Sequence, residues 1–166
     1  MEKAYLSLGS NRGDRKALLG HATDLIRQRV GSVVCCSPLY ETAPWGQFAE
    51  GEDLPFLNMA LAVETPLAPH ELLVTTQSIE KDLGRSRPKS TQQYHSRPID
   101  IDIVLYGTTV LDTPELTLPH PRMHLRRFVL QPLCDIAPDA RHPLLNQTIH
   151  QLLEVCPDTS SPSCCS

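Results

Sequence analysis

Residues 97–103 read Arg-Pro-Ile-Asp-Ile-Asp-Ile. In an extended strand the side chains alternate, so Asp100 and Asp102 leave one face and Ile99, Ile101 and Ile103 the other. The two acidic residues then stand about 6.6 Å apart. Carboxylates held that close repel unless a cation lies between them, and hard oxygen ligands with room for water suit Mg²⁺. The plain alternative is a half-buried strand whose polar face meets water. Two features count against it: Asp is a poor strand former, and the segment continues as the wholly apolar Val104-Leu105-Tyr106.

Basic residues collect around this segment. Arg85, Arg87, Lys89 and Arg97 lie in the polar stretch that leads into it, and Arg122, Arg126 and Arg127 follow a Leu-Pro-His-Pro run. Guanidinium groups bind phosphate oxygens bidentately while a metal bridges others, so the first cluster beside the acidic strand outlines a nucleoside triphosphate site. The second cluster, taken alone, is an ordinary solvated face. The run Leu8-Gly9-Ser10-Asn11-Arg12-Gly13-Asp14 has neither the Gly-Lys-Ser/Thr ending of a phosphate loop nor the three-glycine dinucleotide pattern. It reads as a turn with Asp14 capping a helix. Gln77 and Glu80, three apart, are neighbours on one helix face and taken alone are exposed polar residues. Asn58 is more telling, because it interrupts an apolar strand and a buried amide is costly unless something pairs with it.

The elements that must position these residues follow from periodicity. Residues 3–8 read as a strand, Gly9-Ser10-Asn11 as a turn, and Leu18, Ala22, Leu25 and Ile26 as one stripe of a helix ending near Gly31. Residues 33–40 form a second strand, at an edge or bulged because of Pro38. Residues 41–56 are too rich in Pro, Gly and acid to be regular, and a loop of that length is usually functional or disordered. Leu57, Met59, Leu61 and Val63 alternate in a third strand, and Pro69 opens a helix through Leu83 that Gly84 closes. A second polar loop, the Asp-x-Asp strand, a short strand near Val110 and a mixed C-terminal region with Phe128 to Leu133 complete the order. This βαββαβ series predicts an α+β, ferredoxin-like domain: a mostly antiparallel sheet backed on one face by helices, spanning residues 1–156.

Taken in order, AYLSLGSN, ETAPWG, FLNMA, Gln77 with Glu80, GRSR, SRPIDIDI and LPHPRM through RRFVLQPL resemble the 6-hydroxymethyl-7,8-dihydropterin pyrophosphokinases of folate biosynthesis, over roughly residues 3–155. The resemblance implies transfer of the terminal pyrophosphate of ATP to the hydroxymethyl oxygen of a reduced pterin, with release of AMP. It implies that Asp100 and Asp102 hold two Mg²⁺ ions and that Arg85 and Arg97 join them as catalytic residues at the phosphates. Gln77, Glu80, Arg85, Arg87, Arg97, Ile103, Thr117, His120 and Arg126 fall at nucleotide-binding positions. Thr42, Pro44, Trp45, Phe56, Asn58 and Phe128 fall at pterin-binding positions, where aromatic faces sandwich a flat heterocycle and Asn58 offers donor and acceptor. The chain departs from the pattern in the run Tyr94-His95-Ser96-Arg97, where Tyr94 is nearest to a tryptophan that covers the nucleotide in some relatives. It departs again at Ala43, where a second proline is frequent.

Composition is compatible with this and excludes other classes. With 166 residues, 40% hydrophobic, the chain has enough apolar side chains for one core. A net charge of −4 gives no reason to expect nucleic acid or an anionic membrane as partner. A sheet-surface RNA reader needs exposed aromatics in a basic motif, against three Phe, four Tyr and one Trp here. Neither a leader sequence nor an 18-residue apolar run is seen, so a cytoplasmic protein is expected; a monomer is expected as well. Six cysteines without a secretory leader are expected as thiols, with Cys35, Cys36 and Cys134 buried as small hydrophobes. Residues 157–166, rich in Ser, Pro and Cys, read as a flexible tail. Another Mg²⁺-dependent phosphoryl or nucleotidyl transferase is the main alternative, since Asp-x-Asp with arginines would serve it equally, and a ferredoxin-like binding module the lesser one.

Overall fold

The computed structural model describes residues 1–42, 55–84, 99–160 and 162–165. Strand β1 (Glu2–Ser10) leads to helix α1 (Arg15–Arg29), whose first turn is capped by the Asp14 carboxylate accepting from the Ala17 N–H at 3.1 Å. Strands β2 (Ser32–Cys36) and β3 (Leu39–Thr42) are separated at Pro38 and both pair with β4 (Phe56–Thr65). Helix α2 (Pro69–Asp82) starts on a proline, which needs no N–H partner there. Strand β5 (Asp100–Tyr106), a small hairpin of β6 (Leu111–Asp112) and β7 (Thr117–Leu118), helix α3 (Arg127–Ile136), helix α4 (Ile149–Glu154) and β8 (Ser163–Cys165) follow.

The main sheet is antiparallel in order β5-β1-β4-β3-β8, with β2 also on β4. This is the ferredoxin-like arrangement that the element order predicts. Register places Ser7 opposite Asp102, Gly9 opposite Asp100, and Gly9 opposite Asn58 on the other side. The acidic pair, the glycine and the amide therefore line up across three adjacent strands on one face.

Helices cover both faces of the sheet, not one. Leu6, Leu8, Leu61 and Ile101 pack against Leu19 and Ile26 of α1 and Leu72 and Ile79 of α2. On the reverse face Ala60, Val104 and Leu105 pack against Leu130 and Leu133 of α3 and Ile149 and Leu152 of α4. The second layer comes from the C-terminal region, whose short helices punctuated by Pro132 lacked a clear period in sequence.

Other expectations are corrected. β1 runs on through Ser10, because Gly9 and Ser10 still pair with Asn58 and Leu57, so no turn begins at Gly9. The inward stripe of α1 is Leu19, Ala22, Thr23 and Ile26, with Leu18 and Leu25 half-buried at its margin. Cys35 and Cys36 are exposed and Cys134 is half-buried. A bulge between Val33 and Cys35 breaks the alternation of β2 and leaves Val34, Cys35 and Cys36 outside both cores. Within the stretch read as a tail, residues 163–165 pair with Leu39–Glu41, using the open main-chain edge of β3.

Candidate active site

Asp100 and Asp102 are half-buried on β5, on the face that carries Ser7, Gly9 and Asn58. β5 lies at the sheet edge, and its outer side is held by Glu80, which is 5% exposed on α2 and accepts the Ile101 N–H at 2.7 Å. A buried carboxylate on a main-chain donor is a strong, directional tie. It fixes the residue between the two aspartates. Gln77, one turn earlier on α2, is exposed, so the pair expected to act alike is divided between solvent and strand. Ile103 is buried in the α1–α2 core. Strand alternation aims its amide at the same outer edge as that of Ile101, leaving main-chain groups, not the side chain, to meet a ligand there.

His120 follows Pro119, which is joined to Leu118 by a cis peptide bond. Its backbone N–H donates to Val104 O at 2.9 Å, and its Nδ1 accepts from the Arg122 N–H at 3.2 Å. Burial, then the charges of Arg126 and Arg122, push the ring down to about 4 despite the opposing pull of Asp100. The ring is therefore neutral at pH 7, with its proton on Nε2. Thr117 is half-buried on β7, which packs beside β5.

The second half of the face is built around Asn58. It is 3% exposed, and its Nδ2 donates to Thr42 Oγ1 at 2.7 Å. A Cβ at Gly9 would lie 2.8 Å from Asn58 Oδ1, so only glycine leaves the amide its place, while the Phe56 ring, 3.6 Å away at Cδ1, would be in ordinary contact. Phe56 and Phe128 are half-buried, and the Arg126 guanidinium lies over the Phe128 ring at 5.7 Å. Tyr40, opposite Asn58, donates its hydroxyl to Asp135 of α3. Burial, followed by that hydrogen bond and the carboxylate charge, pushes the phenol up to about 12.

The structure thus gathers Asp100, Asp102, His120, Arg126 and the edge of Ile103 at one end of β5, and Thr42, Phe56 and Asn58 across β3 and β4. Pro44, Trp45, Arg85, Arg87, Tyr94 and Arg97 lie outside the described residues. Sequence reasoning missed Gly9, Ser7 and the positioning role of Glu80. The signal for Gly9 was a glycine continuing the alternation of a strand, which marks a close approach.

Among the described residues no group of three or more His, Cys, Asp or Glu could hold a metal, and no helix is long and apolar enough to cross a membrane. A pair of carboxylates does fit a Mg²⁺ ion that takes its remaining oxygens from phosphate and water.

The profile of the 7,8-dihydro-6-hydroxymethylpterin-pyrophosphokinase (HPPK) family matches residues 5–138. The 2-amino-4-hydroxy-6-hydroxymethyldihydropteridine pyrophosphokinase of Porphyromonas gingivalis is 48% identical over 139 residues, 83% of this chain and 92% of that one. The enzyme of the same name from Bacillus subtilis is 43% identical over 134 residues, covering 80% and 77%, and that from Aquifex aeolicus 35% over 165, covering 99% and 98%. A crystal structure of Plasmodium falciparum HPPK-DHPS superposes with a TM-score of 0.74 at 18% identity, over 92% of this chain and 45% of that one. This chain spans less than half of such two-part chains, and that likeness speaks to the fold. By profile and by identity along its length, the chain belongs to the HPPK family.

Proposed function

We propose that the acidic end of β5 is where ATP is held for pyrophosphoryl transfer and that the Asn58 pocket beside it receives the pterin. The overall reaction is that of the family: the terminal pyrophosphate of ATP passes to the hydroxymethyl group of 6-hydroxymethyl-7,8-dihydropterin, a step of folate biosynthesis. The observation that carries the assignment of the site is the register that sets Asp100, Gly9 and Asn58 side by side on one face. Nucleotide and pterin can then meet across a single glycine.

Asp100 and Asp102 are the residues that would hold Mg²⁺, two ions in this proposal. Bound there, the metal would neutralise triphosphate charge and orient its oxygens. The chain's own residues do the rest. Glu80, through the Ile101 amide, keeps the two carboxylates on a fixed strand. Neutral His120 offers Nε2–H to a phosphate oxygen without adding a charge, and Arg126 offers one, with Arg85, Arg87 and Arg97 assigned to the same triphosphate. Gln77, Thr117 and the main chain of Ile103 border the nucleoside, and Tyr94 covers it. Asn58, with one Nδ2 proton spent on Thr42, keeps the second proton and Oδ1 for the edge of the pterin. Phe56 and Phe128, with Pro44 and Trp45, close on its faces. The hydroxymethyl oxygen bonds to the β-phosphorus as the bond to the bridging α–β oxygen breaks. Positioning and charge, not covalent chemistry, supply the acceleration.

An end-point assay with ATP, Mg²⁺ and the pterin, separating AMP from ADP, tests it. Pterin-dependent AMP in step with pterin pyrophosphate is the expected result. ADP as the product, or no turnover at saturating pterin, overturns it.

A further inference from the structure

Helix α3 begins at the site, with Arg126 as its N-cap and Phe128 as its second residue. Its own N-cap side chain makes no capping bond, and Pro132, six residues in, has no N–H to give the Phe128 carbonyl. The Val129 and Leu130 N–H groups close the first turn on the Arg126 carbonyl, and the Arg127 N–H ahead of them is met from outside the helix. The Arg127 N–H donates to Asp158 Oδ2 at 3.0 Å, the Arg127 Nε donates to the Asp158 main-chain oxygen at 2.9 Å, and Asp158 Oδ1 accepts from the Ser160 N–H at 2.9 Å. A carboxylate 31 residues downstream thus does what a capping residue normally does, satisfying an orphan donor at the positive end of the helix dipole. Burial works against an ionised Asp158, but the bonds from Ser160 and from Arg127, with the Arg127 charge, outweigh it and hold its pKa below the usual value.

We infer that Asp158 is a positioning residue for the pterin site: by capping α3 from the segment after α4, it fixes the turn that carries Phe128. The inference rests on the reading of Phe128 as one wall of that site. Without the carboxylate the turn frays at Arg127, and the ring one residue on loses its set position. The cost falls on pterin binding more than on chemistry, because Asp100, Asp102 and His120 are held by β5 and by Val104.

The experiment compares Asp158→Ala, Asp158→Ser and Asp158→Asn with the unaltered chain, reading pterin KM, kcat, ATP KM and equilibrium pterin binding by fluorescence titration. Asp158→Ala should raise pterin KM and Kd about tenfold, with a smaller rise in ATP KM through the neighbouring Arg126 and kcat within about twofold. Asp158→Ser, with a shorter neutral acceptor, should fall between, and Asp158→Asn, which keeps an oxygen for the Arg127 N–H, should recover most of the affinity. Unchanged pterin affinity in Asp158→Ala, an equal fall in kcat in all three, or Asp158→Ala and Asp158→Ser that both fail to fold overturns the inference, the last because Asp158 is then a stability residue. An unaltered chain that neither binds nor consumes the pterin instead sinks the proposed function.

Discussion

Strands β1, β4 and β5 present two faces made from the same residues in alternation. Towards α1 and α2 they offer Leu6, Leu8, Leu57, Met59, Leu61, Ile101 and Ile103, all buried. Towards α3 they offer Ser7, Gly9, Asn58, Asp100 and Asp102 at one end and Tyr5, Ala60 and Val104 at the other. One face is uniform because its task is to exclude water. The other changes along its length, from apolar under α3 to polar where α3 begins. A sheet can be both core and site because adjacent positions on a strand have opposite surroundings. The polar end is tolerable because the all-apolar side supplies cohesion independently of it.

One substitution on each face separates the two roles. Asp102→Asn keeps size and shape and removes a carboxylate. It should lower kcat by about 10²–10³-fold, the scale on which a single electrostatic contact to a reacting group acts, and leave the urea midpoint nearly unchanged. Leu61→Ala, at a fully buried central position, should do the reverse: a loss of about 2–5 kcal/mol in unfolding free energy, with kcat per folded molecule within about twofold. If Asp102→Asn unfolds the protein, or Leu61→Ala abolishes turnover while folded, the division of labour is wrong.

Gly9→Ala acts at the seam between the acidic pair and Asn58. The added methyl would meet Asn58 Oδ1 at 2.8 Å, so the amide must move and its bond to Thr42 must stretch or break. Pterin KM should rise about tenfold while ATP KM changes about twofold or less, and stability should fall by about 1–2 kcal/mol. An equal rise in both KM values would mean that Gly9 serves the whole face and not the pterin end.

Much of this layout was legible from residue types alone, because period-two alternation in Ile99–Ile103 fixes which side the aspartates share before any fold is known. Asn58 was legible for the same reason, as a polar residue in an apolar run. What was not legible depends on partners distant in sequence. Nothing near Glu80 says that its carboxylate reaches Ile101, 21 residues on, and nothing near Asp158 says that it caps a helix that begins at Arg127. Burial of Cys35 and Cys36 was misjudged because a bulge shifts the register, and bulges leave little mark in sequence. The second helical layer escaped for a related reason: α4 has six residues, too few for a period to show.

An effect confined to acid pH concerns His120, whose backbone N–H is held by Val104 of β5. Its pKa is about 4 in the folded protein, against an ordinary value of 6.5 that the unfolded chain retains. As pH falls through 6.5 the unfolded chain takes up this proton first, so unfolding becomes progressively easier until about pH 4, below which both states are protonated and the loss is complete. The contribution is thus fully present above 6.5. Allowing for partial solvent screening of the ring, it should amount to about 2 kcal/mol. His120→Gln keeps a polar side chain that does not titrate, so urea unfolding at pH 7, 6, 5 and 4 should give a shallower acid limb for the variant by that amount. Asp158 and His142, whose pKa values are also lowered, remain in both proteins and cancel in the difference. Parallel limbs would mean that His120 is charged or exposed in the folded state, and the neutral Nε2–H donor assigned to the triphosphate would have to be replaced by a cation.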